Sequence, residues 1–221
     1  MDKKEDYLSN FKTAIISTVR SLSNKENVNV VFGKNKADDN KTTINLPDLE
    51  NLNKKNFIKT RAQADSSALK LKYSDNKTFR KFLPEGSTSK RLYEIAEKIR
   101  YEKLGSLEFK GVKNNLDSYY FDKFNQLNSK EKEKNISNAF ESYLRTHLSN
   151  DNVKGLDKQY KSFKKELENS FKKEISNLRK LTNNQIKFNS AVSKIISSMN
   201  IDENLETDKQ QQEDLKQKDP S

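Results

Sequence analysis

Residues 84–105 read PEGSTSKRLYEIAEKIRYEKLG, and this stretch decides the fold class. Leu92, Ile95, Ala96 and Ile99 recur at i, i+3, i+4 and i+7, the spacing of one apolar stripe on an α-helix. Ser87, Thr88 and Ser89 are able to cap its start, and Gly105 stands where a left-handed C-cap residue belongs. The expected helix therefore runs from Ser87 to Leu104. Its charges are less ordinary, because Glu97, Arg100 and Glu102 crowd against the stripe instead of keeping to a solvent face.

Upstream, Pro84 closes a long helix expected from about Phe57 to Phe82. Phe57, Arg61, Ala64, Ala68 and Leu71 share one face of it, widened by Ile58, Ala62 and Leu69. A first helix is expected from Asp6 to Ser23, with Phe11, Ala14, Ile15, Thr18, Val19 and Leu22 turned inward. Between the two lie two strand-like runs, VNVVF at 28–32 and TTINL at 42–46. Gly33 ends the first run and Pro47 the second, and the polar loop 34–41 separates them. A β-hairpin is the simplest pairing, and a lone hairpin must lie on helices to be stable.

Downstream, helices are expected from Val112 to Phe124 and from Ser129 to Leu148. A long charged helix should follow, from Asn150 to Leu181. Leu156, Tyr160, Phe163, Leu167, Phe171, Ile175 and Leu178 would form its near-heptad stripe. The last helix should run from Asn184 to Asn200. The fold class is mainly α: a helical domain over 1–148 with its hairpin at 28–46, and long helices over 149–200 packing on it or extending from it. Residues 201–221 have almost no apolar side chains and read as a disordered tail or the start of an acidic linker.

Composition narrows the chemistry. The chain has no Cys and one His, His147, which excludes thiolate metal sites, cysteine nucleophiles and an HExxH centre. P-loop and GxGxxG patterns are absent, and so is the DxSxS metal signature of von Willebrand A domains. His147 sits in THLSN at an expected helix end, where a solvated imidazole is at home. No run approaches the roughly 18 apolar residues of a membrane span, and MDKKEDYLSNF is not a signal peptide, so the expected location is the cytoplasm. The net charge of +11 invites a nucleic-acid reading. Only seven of the 43 basic residues are Arg, however, and the Lys are spread among 32 acids instead of concentrated on one segment. A nucleic-acid partner is therefore disfavoured. No catalytic, cofactor-binding or metal-ligating residue is expected in this chain.

One constellation remains. Arg61 and Asp65 stand at i, i+4, and Glu97 and Arg100 at i, i+3 on the next helix, with Glu102 nearby. Two antiparallel helices joined by a Pro-Glu-Gly turn would bring Arg61, Asp65, Glu97 and Arg100 together as a partly buried ion-pair network. Such a network would be structural or would touch a partner; the alternative is ordinary surface pairs worth a few tenths of a kcal/mol each. Acid–base catalysis fits poorly, because each acid has a cation beside it and stays ionised.

These residues also carry a resemblance. Phe11, Lys12, Ser17, Thr18, Val19, Arg20 and Leu22, the run Val28 to Gly33, and Leu46, Pro47 and Leu49 are similar to the start of the CobT subunit family of cobaltochelatases. The likeness continues through Thr60, Arg61, Ala64, Asp65, Ser66, Ala68, Leu69, Leu71, Tyr73 and Asp75, then Pro84 to Gly86. It includes Glu97, Arg100, Glu102 and Gly105, then Gly111, Val112, Asn115 and Leu116, and it weakens from about Leu127.

The resemblance implies a subunit of the ATP-dependent cobaltochelatase of aerobic cobalamin synthesis, which inserts cobalt into hydrogenobyrinic acid a,c-diamide. Its partners would be an AAA+ ATPase subunit and a large chelatase subunit. ATP, Mg and cobalt would be used by the complex and none bound by this chain. CobT proteins are longer and carry an acidic linker and a C-terminal von Willebrand A domain. The expectation is that this chain corresponds to their N-terminal part. The alternatives are an adaptor of a related AAA+ system that remodels another metalloenzyme, and a basic helical nucleic-acid-binding domain.

Overall fold

Local signals set most of the element boundaries. In the computed structural model, which describes residues 3–33, 42–49, 53–126, 135–148, 161–199 and 201, nine α-helices and two strands are seen. They are α1 (Lys3–Ser23), β1 (Val28–Phe32), β2 (Thr42–Leu46), α2 (Lys54–Tyr73), α3 (Asn76–Lys81), α4 (Ser87–Glu108) and α5 (Lys110–Gln126). Then come α6 (Ile136–Leu148), a 3-10 turn at Lys161–Phe163, α7 (Lys164–Phe171), α8 (Ile175–Leu181) and α9 (Gln185–Ser198). Asn53, Asp75 and Asn184 each cap a helix by accepting the third following amide, from Asn56, Thr78 and Lys187 at 2.9, 2.7 and 3.0 Å. The mainly helical class holds.

The details correct several expectations. The strands pair in parallel, not as a hairpin, in the register Val28↔Thr42 through Phe32↔Leu46. Five-residue strands are only ~13 Å long, so a short connection is enough to join them in parallel. Gly33 adopts φ +84° and its amide donates to Leu46 O at 2.9 Å, ending the ladder. The expected helix 57–82 is two helices, because Asp75 caps a new start just after Ser74. The expected helix 150–181 is broken at Lys172–Glu174, where Glu174 N donates to Phe171 O in a tight turn. Gly105 is no cap: α4 continues three residues past it. The loop 34–41, residues 129–134, the stripe positions Leu156 and Tyr160, and the tail 202–221 lie outside the described residues.

Two compact units divide the chain. One takes Met1–Ser74 and Tyr101–Lys123, the other Asp75–Arg100 and Phe124–Ser221. In the first, α1 packs on α2, with the Phe11 and Phe57 rings edge to face at 4.5 Å. Ile15, Val19 and Leu22 of the expected α1 face are buried, whereas Ala14 is exposed. The strands add Val28, Ile44 and Leu46 to the buried set, and α2 adds Ala62, Ala64, Ala68 and Leu69. In the second unit, Leu92, Tyr93, Ala96 and Ile99 of α4 share an apolar core with Phe140 and Tyr143 of α6, Phe171 of α7, Leu178 of α8 and Phe188 and Val192 of α9. The stripe read from residues 92–99 is thus the core face of this unit.

Candidate functional site

The charges that crowd the α4 stripe are buried, and each has a defined set of partners. Glu97 and Arg100 are both 2% exposed. Arg100 Nε donates to Glu97 Oε2 and Nη2 to Oε1, each at 2.8 Å, a bidentate fork one helical turn apart. The remaining Nη1 donates to the Thr182 carbonyl at 3.1 Å, where α8 ends. Gln185 Nε2 donates to Glu97 Oε1 at 3.0 Å, and the same amide brackets the Asp75 backbone, donating to its carbonyl and accepting its amide. The fork thereby ties α4 to the α8–α9 junction and to the start of α3, all within the second unit. Burial and the nearby Glu97 carboxylate push the neighbouring Tyr93 phenol up, so it stays neutral while donating to the Phe79 carbonyl at 3.0 Å.

In the first unit, Glu102 accepts from Ser66 Oγ at 2.5 Å and from the Tyr120 hydroxyl at 3.0 Å. Three helices, α2, α4 and α5, meet at that one carboxylate. Asp65, 1% exposed, accepts from Asn115 Nδ2 at 2.7 Å, while its other oxygen finds no donor among the described residues. The sequence expectation of one four-membered network is therefore corrected. Asp65 and Arg61 lie in one unit and Glu97 and Arg100 in the other, and the partner that holds Asp65 is the α5 amide of Asn115. Arg61, half-buried, contributes a long-range attraction to Asp65.

Burial lifts the Asp65 carboxyl above its ordinary range, and Asn115 and Arg61 pull it back only in part. The folded chain thus holds this proton more tightly than the unfolded chain. Its contribution to stability is present below the ordinary Asp range and is lost as pH rises through the raised folded value. Asp65→Asn keeps an acceptor for Asn115 and has no charge to bury. Relative to the parent chain it should therefore gain stability as pH rises from 3.5 to 7. Urea denaturation at both pH values checks this, and a difference that is flat or of opposite slope would show Asp65 to be adequately solvated.

A further buried pair goes beyond the sequence reading. Glu141 and Arg145 stand at i, i+4 on α6, 4% and 3% exposed, with Arg145 Nη2 to Glu141 Oε1 at 3.0 Å. The signal lies in FESYLR, where Phe140, Tyr143 and Leu144 flank the pair so closely that no open face remains for it. His147 Nδ1 lies 2.9 Å from the Tyr143 carbonyl of its own helix, and its ring stacks on Tyr143. Among the described residues there is no group of three or more His, Asp or Glu placed to hold a metal ion. No described helix is long and apolar enough to cross a membrane. Chemically, the buried groups form a tethering set: each carboxylate is engaged by a cation, an amide or a hydroxyl of its own chain.

No solved structure matches this chain. A family model described as cobalamin biosynthesis protein CobT matches residues 5–221, well beyond the point near Leu127 where the resemblance read from motifs weakens. With essentially its whole length matched, the chain belongs to the CobT family of cobalamin biosynthesis.

Proposed function

We propose that this chain is a non-catalytic subunit of the ATP-dependent cobaltochelatase. It would support insertion of the substrate cobalt into hydrogenobyrinic acid a,c-diamide by holding an AAA+ ATPase subunit and the large chelatase subunit in one assembly. ATP hydrolysis takes place in the partner ring and reaches the chelatase as a conformational change biased by subunit contacts. Family membership over residues 5–221 carries this reading. The engagement of the buried charges within the chain supports it, since Glu97, Glu102 and Glu141 each accept from side chains of their own unit.

Reconstitution tests the proposal. The three proteins are mixed with ATP, Mg and cobalt, and metal entry is followed by the absorbance change of the macrocycle. Insertion should need all three and fall to background, at least ~100-fold, when this chain is left out; a loss of that size corresponds to ~2.7 kcal/mol of transition-state stabilisation. Undiminished insertion without it would remove the proposal. Capture of the AAA+ subunit but never of the large subunit would point instead to an adaptor for a different target.

A further inference from the structure

The second unit carries an open groove of about 820 Å³ with an apolar floor and a basic rim. Phe82, Leu181, Ala191 and Ile195, buried or half-buried, supply its apolar floor, beside the polar Asn169, Ser170 and Asn177. Lys173, Lys187 and Lys194 line it as well and are exposed, against one acid, Glu174. Lys187 and Lys194 are seven residues apart on α9, so they stand on the same side of that helix about 10 Å apart. None of the three lysines forms a salt bridge among the described residues. Ile186 also lines the groove and is 56% exposed, which adds apolar surface at its edge. Ser190 and Ser198 complete the α9 side, and their small side chains let another backbone come close.

We propose that this groove is a docking site for an amphipathic helix of a partner protein, one whose apolar stripe is flanked by Asp and Glu. Lining residues run along α9 from Ile186 to Ser198, about 18 Å, the length of a helix of three to four turns. Aliphatic residues at i, i+3, i+4 and i+7 would fill the floor, the usual helix-in-groove arrangement. Acids beside them would meet the three lysines. Charge complementarity selects this occupant. A second copy of this chain would bring a net charge of +11 to an already basic rim. A phosphate backbone is served by Arg forks and backbone donors, whereas the groove lining contains no Arg.

The probe is a fluorescein-labelled 18-residue helical peptide with that Leu pattern and Glu flanks, compared with its Lys-flanked counterpart on the full chain. Fluorescence anisotropy should show saturable binding of the Glu peptide only. Binding should weaken about tenfold or more in the triple variant Lys173→Glu, Lys187→Glu, Lys194→Glu. The three side chains are exposed, so an unchanged circular dichroism melt verifies that the variant folds. NMR shifts induced by the peptide should cluster on α9 and the α7–α8 turn.

Six outcomes would overturn the proposal. They are no saturable binding, equal binding of the Lys peptide, and indifference to the triple variant. The fourth is tighter binding once the chain is cut after Ile201, which would make its own tail the occupant. The fifth and sixth are displacement of the Glu peptide by a single-stranded DNA 12-mer and loss of peptide binding on self-association in sedimentation; they would assign the groove to nucleic acid and to a second copy, respectively.

Discussion

Arg100→Ala should lower the unfolding free energy by about 3–5 kcal/mol, the range for removing one partner of a buried ion pair. A chain of this size would then melt roughly 10 °C earlier. The size of the effect comes from what is left behind. Glu97 stays 2% exposed, still accepting from Gln185 Nε2 but with the fork that neutralised it gone. The Thr182 carbonyl also loses its donor at the end of α8. Arg179→Ala is the comparison: Arg179 is exposed, and although its guanidinium reaches the His147 carbonyl, its loss should fall within about 0.5 kcal/mol. A second comparison separates charge from packing. Replacing both partners, Glu97→Leu with Arg100→Met, leaves no stranded carboxylate and should recover most of the loss. Equal melting temperatures for the Arg100 and Arg179 variants would mean that Arg100 is solvated in solution.

Gly105→Ala is the second large effect, and its sign runs against helix propensity. An added Cβ would stand 2.9 Å from Leu69 Cγ and closer still to both Leu69 methyl carbons. Leu69 is fully buried on α2, so it has little room to yield. Alanine gains ~1 kcal/mol of propensity in a helix interior. The overpacking term, about 1–3 kcal/mol and occasionally more, should exceed it, leaving a net loss of up to about 2 kcal/mol. Gly111→Ala is the control, because a Cβ there meets nothing within 4 Å; in the first turn of α5 it should stabilise by no more than ~0.5 kcal/mol. In a Leu69→Ala background the Gly105→Ala change should turn stabilising, since the removed side chain makes the room. A double-mutant cycle measured by urea denaturation reads this directly, and additive changes would place the two residues apart.

Hydrophobic periodicity places the helices well where a stripe is long: Leu92 to Ile99 is the core face of its unit, and Ile15, Val19 and Leu22 are buried as their spacing predicts. Periodicity fails where a stripe runs on through a break. Phe79 and Phe82 keep the α2 spacing, yet Asp75 turns the chain into α3 by capping Thr78. Phe171, Ile175 and Leu178 keep a heptad rhythm across the Lys172–Glu174 turn. Gly105 reads as a cap because glycine after a stripe commonly ends a helix, and only the position of Leu69 reveals it as a close-approach site.

The buried charges are half legible in the sequence. Their nearness to the apolar stripe shows that Glu97, Arg100 and Glu102 face inward. Their partners cannot be read that way, because Thr182 and Gln185 are more than 80 residues away and Tyr120 reaches Glu102 from α5. The Asn115–Asp65 bond joins two positions that both carry the family resemblance, though no single-helix spacing links them.

The parallel register of the two strands has a consequence for the order of folding. A hairpin can zip from its own turn within microseconds and serve as an early nucleus. Val28–Phe32 and Thr42–Leu46 cannot, because in a parallel pair the start of one strand lies against the start of the other, so the two residues that the connection joins, the end of the first strand and the start of the second, are not partners. The pairing becomes favourable only when α1 is in place beside β1 and α2 beside β2, the helices each strand packs on. The small sheet is a late arrival: truncating Ile44 would hasten unfolding and leave the folding rate almost untouched.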